Sequence, residues 1–92
     1  MEPDVSAAVQ LRQWVAEEAL AGRPDVALDD NTELLKSGYL DSLLMLRLVA
    51  YMEERFGVEV PDEEVLPAHF RNVAAMTALV RKLQQQKAAL GS

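Results

Sequence analysis

From Ser42 to Phe56 the chain runs without proline or glycine, and its apolar residues recur at helical steps. Met45, Leu48, Val49, Met52 and Phe56 share one face, while Leu43, Arg47, Ala50, Tyr51 and Glu54 share the other. Asp41 stands ahead of this stretch as a helix N-cap, and Gly57 follows as a residue that ends helices. Such a helix must bury its apolar face against further helices or a sheet. The remainder of the 92 residues offers no sheet. The chain is 50% hydrophobic but only 5% aromatic, and its apolar content of Ala, Leu and Val suits helices better than a β-sandwich core. The length leaves room for one small core, so the chain reads as a single all-α domain over residues 1–92.

Two further helices accompany the first. Ala8, Leu11, Val15 and Ala19, with Trp14 beside them, predict a helix from about Val5 to Ala21, capped by Asp4 and stopped by Gly22-Arg23-Pro24. Asn72 caps a final helix to about Gln86, with Val73, Met76, Val80 and Leu83 inward and Arg81 and Lys82 near its negative end. Residues 87–92 are expected to fray, leaving a core of about 5–86. Between the first two helices, residues 23–41 hold no sustained period. Val26, Leu28, Leu34 and Leu35 are spaced to dip into the core, with one helical turn near Thr32–Lys36. Val58-Glu59-Val60-Pro61 reads as extended, and Asp62 to Leu66 as a short turn limited by Pro67. The architecture is three main helices plus one short one, with a long first connection.

Charge narrows the partners. The formal net charge is -6, and residues 1–64 hold all 15 acidic side chains and five of the nine basic ones. Nucleic acid and anionic membranes are poor partners for such a surface, and a partner steered by charge should bring a basic one. No cysteine is present, which excludes a disulfide framework, a thiolate metal site and a thiol nucleophile. The opening Met1-Glu2-Pro3-Asp4 is no secretory signal, and the apolar runs 43–46 and 48–52 are far too short to span a bilayer. The expected setting is cytoplasmic, and the expected state is a monomer.

Catalytic and metal chemistry find little support. Asp29, Asn31 and Glu33 match the first positions of a calcium loop, but Leu34 stands where a glycine is needed and Leu40 where a carboxylate must close the site. His69, the one histidine, has no acidic neighbour in sequence and reads as a surface or capping residue. Four scattered glycines make no phosphate loop. One local arrangement remains: Gly38-Tyr39-Leu40-Asp41-Ser42-Leu43, with a serine opening the best helix. Open amides and the macrodipole at a helix start favour anions. A plain N-cap and an attachment site for a phosphate ester both fit these residues.

Leu40-Asp41-Ser42-Leu43 resembles the attachment motif of acyl and peptidyl carrier proteins. The family's other landmarks follow in order. Asn31-Thr32-Glu33-Leu34-Leu35 is similar to the turn that leads into the motif. Tyr51 to Pro61 resembles the end of the second helix and the extended link after it, and His69-Phe70-Arg71-Asn72-Val73 the entry to the last helix. The likeness covers roughly residues 8–83.

The resemblance implies a right-handed four-helix bundle that is no enzyme itself. It implies that Ser42, beside the motif acid Asp41, receives 4′-phosphopantetheine from coenzyme A through a separate phosphopantetheinyl transferase. The arm's thiol would carry an acyl or aminoacyl thioester between acyltransferase, ligase or synthase enzymes. Leu43, Leu44, Arg47, Ala50, Tyr51 and Glu54 would form the docking surface, with Arg47 and Glu54 as a mixed-charge strip. Fatty-acid carriers are densely acidic on that face, so Arg47 and Leu44 point to a discrete carrier of a polyketide or nonribosomal peptide pathway. A D-alanyl carrier, a fatty-acid carrier and an unmodified helical adaptor are the competing readings. Of the other serines, Ser6 is expected inside the first helix, Ser37 in the loop and Ser92 in the tail. Phe56 is expected to anchor the core.

Overall fold

The computed structural model describes residues 6–23 and 25–91, and these form four α-helices without a strand. α1 spans Ala7–Glu18, α2 Ser42–Phe56, α3 Pro67–Phe70 and α4 Val73–Gly91. A single 3₁₀ turn, Asp62–Glu64, precedes α3. The result is a four-helix bundle in which α1, α2 and α3 all pack on α4.

The caps explain where the helices start. The Ser6 hydroxyl accepts from the Val9 amide at 3.3 Å, the Asp41 carboxylate from the Leu44 amide at 2.9 Å, and the Asn72 side chain from the Ala75 amide at 2.8 Å. Each satisfies one donor that the first helical turn leaves open. The expected bounds of α2 hold at both ends, and Gly57 closes it at φ +67°, in the left-handed region that favours glycine. α1 departs from expectation. Ser6 is its cap rather than an interior residue, and Asp4 lies outside the described residues. It also ends at Glu18, three residues short of Ala21. There the Leu20 amide turns to the Val15 carbonyl at 3.1 Å and carries Leu20 into the core before the Gly22 break is reached.

The core is built from Leu11 and Val15 of α1, Leu48 and Met52 of α2, Phe70 of α3, and Val73, Met76, Leu79, Val80 and Leu83 of α4. Leu34 and Leu40 reach in from the long connection, and Val58 and Val60 from the extended link, where exposed Glu59 alternates between them. Phe56 is not the anchor expected of it. It is half-buried at the edge of the core, whereas Phe70 is fully enclosed. Phe56 is the last residue of α2, just before Gly57 closes the helix.

The long connection is tied down by hydrogen bonds rather than by a helix. The expected turn near Thr32–Lys36 is instead a turn over residues 35–38, with Gly38 at φ +76° and its amide on the Leu35 carbonyl. The Asp30 carbonyl accepts the open Ala74 amide of α4 at 2.9 Å, and the Asp30 carboxylate pairs with Arg12 at 2.6 Å. One loop thus satisfies a donor at the start of α4 and braces α1. Pro67, expected only to limit the preceding turn, opens α3, since its fixed φ suits a first helical position. α4 continues past Gln86 to Gly91 where fraying was expected. Gln, Lys and Ala are good helix formers, and Lys87 donates to the Gly57 carbonyl, stitching the late turns of α4 to the end of α2.

Candidate functional site

Buried Leu40 pins the chain two residues before α2, its amide donating to the Leu34 carbonyl at 3.1 Å. Tyr39 lies half-buried under Arg23, whose guanidinium carbon sits 5.2 Å from the ring centre. Asp41 then turns the backbone into the helix, with its carboxylate on the Leu44 amide and its carbonyl accepting from Met45 at 2.8 Å. This leaves the amides of Ser42 and Leu43 without an acceptor among the described residues. Ser42 and Leu43 are both exposed. A phosphate ester on the Ser42 oxygen would sit beside two open N–H groups at the positive end of a long helix. The residues present fit an anionic group there.

Among the described residues no side chain hydrogen-bonds to the Ser42 hydroxyl. His69 is engaged elsewhere: its Nδ1 donates to the Glu64 carbonyl at 2.7 Å and lies 3.5 Å from the Glu64 carboxylate. That acid is distant enough in sequence to escape a local reading. Lys82 reaches the same carboxylate at 2.8 Å. The Lys82 hydrogen bond, aided by its charge and that of His69, holds the Glu64 carboxyl below the usual range against the opposing effect of burial. Nor is there a metal centre among the described residues: no three His, Asp or Glu side chains gather to hold one. The Asp29 carboxylate accepts the Asn31 amide at 2.8 Å and caps its own loop. No described helix is long and apolar enough to cross a membrane.

The outer face of α2 differs in detail from the expected one. Leu43 is 66% exposed, and Ala50, Arg47 and Glu54 are exposed as predicted. Leu44 is not part of this face, because it is partly buried against the core. Leu46, overlooked by the sequence reading, is 63% exposed in its place. Its three-residue step from Leu43 was the available signal. Tyr51 is half-buried, its ring 5.9 Å from Trp14 and edge-on to Phe56 at 6.1 Å. Burial raises the Tyr51 phenol pKa, partly opposed by the charge of Arg55 beside it. Arg47 is not a free cation, since it pairs with Glu18 of α1 at 2.7 Å.

Comparison with known proteins decides what this fold belongs to. Residues 9–85 match the sequence model of the family described as "Phosphopantetheine attachment site". The chain belongs to that family. It is a carrier protein, not an enzyme, and its cofactor is covalently attached 4′-phosphopantetheine. The carrier is 33% identical over 75 residues to "Probable acyl carrier protein PigG" of Serratia sp. (strain ATCC 39006), covering 82% of this chain and 85% of that one. It is also 33% identical over 57 residues to "Acyl carrier protein AsbD" of Bacillus anthracis, covering 62% and 63%. Among solved structures, one described as "Crystal structure of FAD-dependent dehydrogenase" matches with a TM-score of 0.69 and 42% identity, over 77% of this carrier and 99% of the matched chain. An all-helical carrier bundle, expected from the resemblance, is thereby shown.

Proposed function

We propose that Ser42 is the attachment point of the phosphopantetheine arm and that this carrier delivers an acyl or aminoacyl thioester to enzymes of a polyketide or nonribosomal peptide pathway in the cytoplasm. The observation that carries the reading is the exposed Ser42 at the start of α2, beside two amides that have no acceptor among the described residues, while His69 is engaged by Glu64. A serine so placed is a substrate for another enzyme's chemistry, here a phosphopantetheinyl transferase using coenzyme A. The arm supplies the thiol that the cysteine-free chain lacks.

Docking falls to the exposed α2 face of Leu43, Leu46, Arg47, Ala50 and Glu54. Two exposed leucines and a paired arginine differ from the dense acidity of fatty-acid carriers, and this supports the pathway assignment. The solved structure described as an FAD-dependent dehydrogenase, matched at 42% identity, supports a partner of that class. Such an enzyme would remove two electrons and two protons from the carried group while FAD is reduced.

The test is intact mass after incubation with coenzyme A and a broad-specificity transferase. The unaltered protein should gain one phosphopantetheine, and Ser42→Ala should gain none while keeping its helical circular dichroism. Modification of Ser42→Ala, or no gain by the unaltered chain, overturns the assignment.

A further inference from the structure

Arg12, Arg47 and Lys82 each pair with a carboxylate, and Lys87 donates to the Gly57 carbonyl. Arg23 is engaged differently. It has no acidic partner among the described residues, and its guanidinium lies over the ring of Tyr39. Arg23 is exposed, yet its backbone is fixed on both sides. Its amide donates to the carbonyl of buried Leu20 at 2.9 Å, and its carbonyl accepts from the Val26 amide at 3.2 Å. The cation therefore stands on an anchored turn at the beginning of the long connection. Tyr39 stands at the end of that connection, just ahead of Leu40, Asp41 and Ser42.

The other supports of this end leave one gap. Leu40 is held by burial and by the Leu34 carbonyl, and Asp41 by its bond to the Leu44 amide. The Gly38 turn is open, with no atom within 4 Å of the place a Cβ would take. Between this open turn and the capped helix, Tyr39 is the side chain that fixes the backbone from outside, and Arg23 covers it. A cation over the face of a tyrosine ring is attracted by the ring quadrupole. Here that attraction joins the two ends of residues 23–39.

We propose that Arg23 and Tyr39 are a pair of positioning residues that pre-order residues 38–41 and so present Ser42 to the phosphopantetheinyl transferase. This rests on Ser42 being the attachment point. In the transfer the Ser42 oxygen forms the new bond to phosphorus, adenosine bisphosphate leaves from coenzyme A, and the hydroxyl proton passes to the transferase. Arg23 and Tyr39 act ahead of that step. A turn already ordered spares the enzyme the entropy of ordering it, so the pair acts on KM for the carrier rather than on kcat.

The experiment measures transfer from coenzyme A by a broad-specificity transferase across a range of carrier concentrations. Arg23→Gln and Tyr39→Leu should each raise KM by about two- to fivefold, the scale of an exposed cation–ring contact, with kcat unchanged. Arg23→Lys and Tyr39→Phe, which keep a cation and a ring, should stay nearer the parent. The double variant Arg23→Gln/Tyr39→Leu should lose no more than either single one, because the contact is already gone. Arg23 is exposed, so Arg23→Gln tests the pair even if Tyr39→Leu melts early. Parent-like KM in Arg23→Gln overturns the proposal, as does a loss confined to kcat. Losses that multiply in the double variant overturn it too, since Arg23 would then act without the ring. No mass gain by the unaltered protein overturns the Ser42 assignment instead, so the two failures are distinguishable.

Discussion

Two phenylalanines of like chemistry carry different weight here because only one is enclosed. Phe70 has no exposed surface, while Phe56 is half-buried at the end of α2. Phe70→Ala should cost about 3–5 kcal/mol, enough to unfold much of a small domain, and Phe56→Ala about half that. Urea denaturation of both variants checks the order. Equal losses would mean that Phe56 is buried as deeply as its helical face alone suggests. Glu64 supplies a pH effect at the same scale. Its folded-state pKa lies below the ordinary glutamate value of 4.5, so the stabilisation it brings is present above that value and lost as pH falls through the folded one. The melting-temperature gap between the parent and Glu64→Gln should therefore be widest at neutral pH and close on acidification. A gap unchanged from neutral pH to pH 3 would count against the Lys82 hydrogen bond as its cause.

At the scale of elements, α2 is set by its own sequence and oriented by its neighbours. Removing the cap with Asp41→Ala should cost about 1 kcal/mol, read as a lower thermal midpoint with the helix content otherwise kept. The ion pair between Arg47 and Glu18 joins α2 to α1. Both side chains are more than a third exposed, so Arg47→Glu should cost no more than about 1 kcal/mol. Glu18→Arg added to Arg47→Glu should restore that loss. If docking uses Arg47 itself, loading by a partner enzyme at low salt stays slow in the charge-swapped protein even though stability returns. Equal loading rates for the parent, the single variant and the swap would remove Arg47 from the docking face.

At the scale of the whole molecule, the bundle holds a long connection in place and sets its end against the start of a helix. What sequence alone determined was local in origin. The bounds of α2, the caps Asp41 and Asn72, the left-handed close at Gly57 and the placing of Ser42 at a helix start all follow from neighbours within a few residues, where capping chemistry and helical period act. The inward face of α4 was legible for the same reason: Val73, Met76, Val80 and Leu83 repeat over several turns. Tertiary structure decided what periodicity cannot rank. A helical face gives a direction, but burial depends on what lies opposite, so Leu44 packs inward, Leu46 stays out, and Tyr51 is covered by Trp14. α3 spans only Pro67–Phe70, too short to show a period. The bonds from Leu34 to Arg71, Asp30 to Ala74 and Lys87 to Gly57 join residues far apart in the chain, and only folding brings their donors and acceptors within reach.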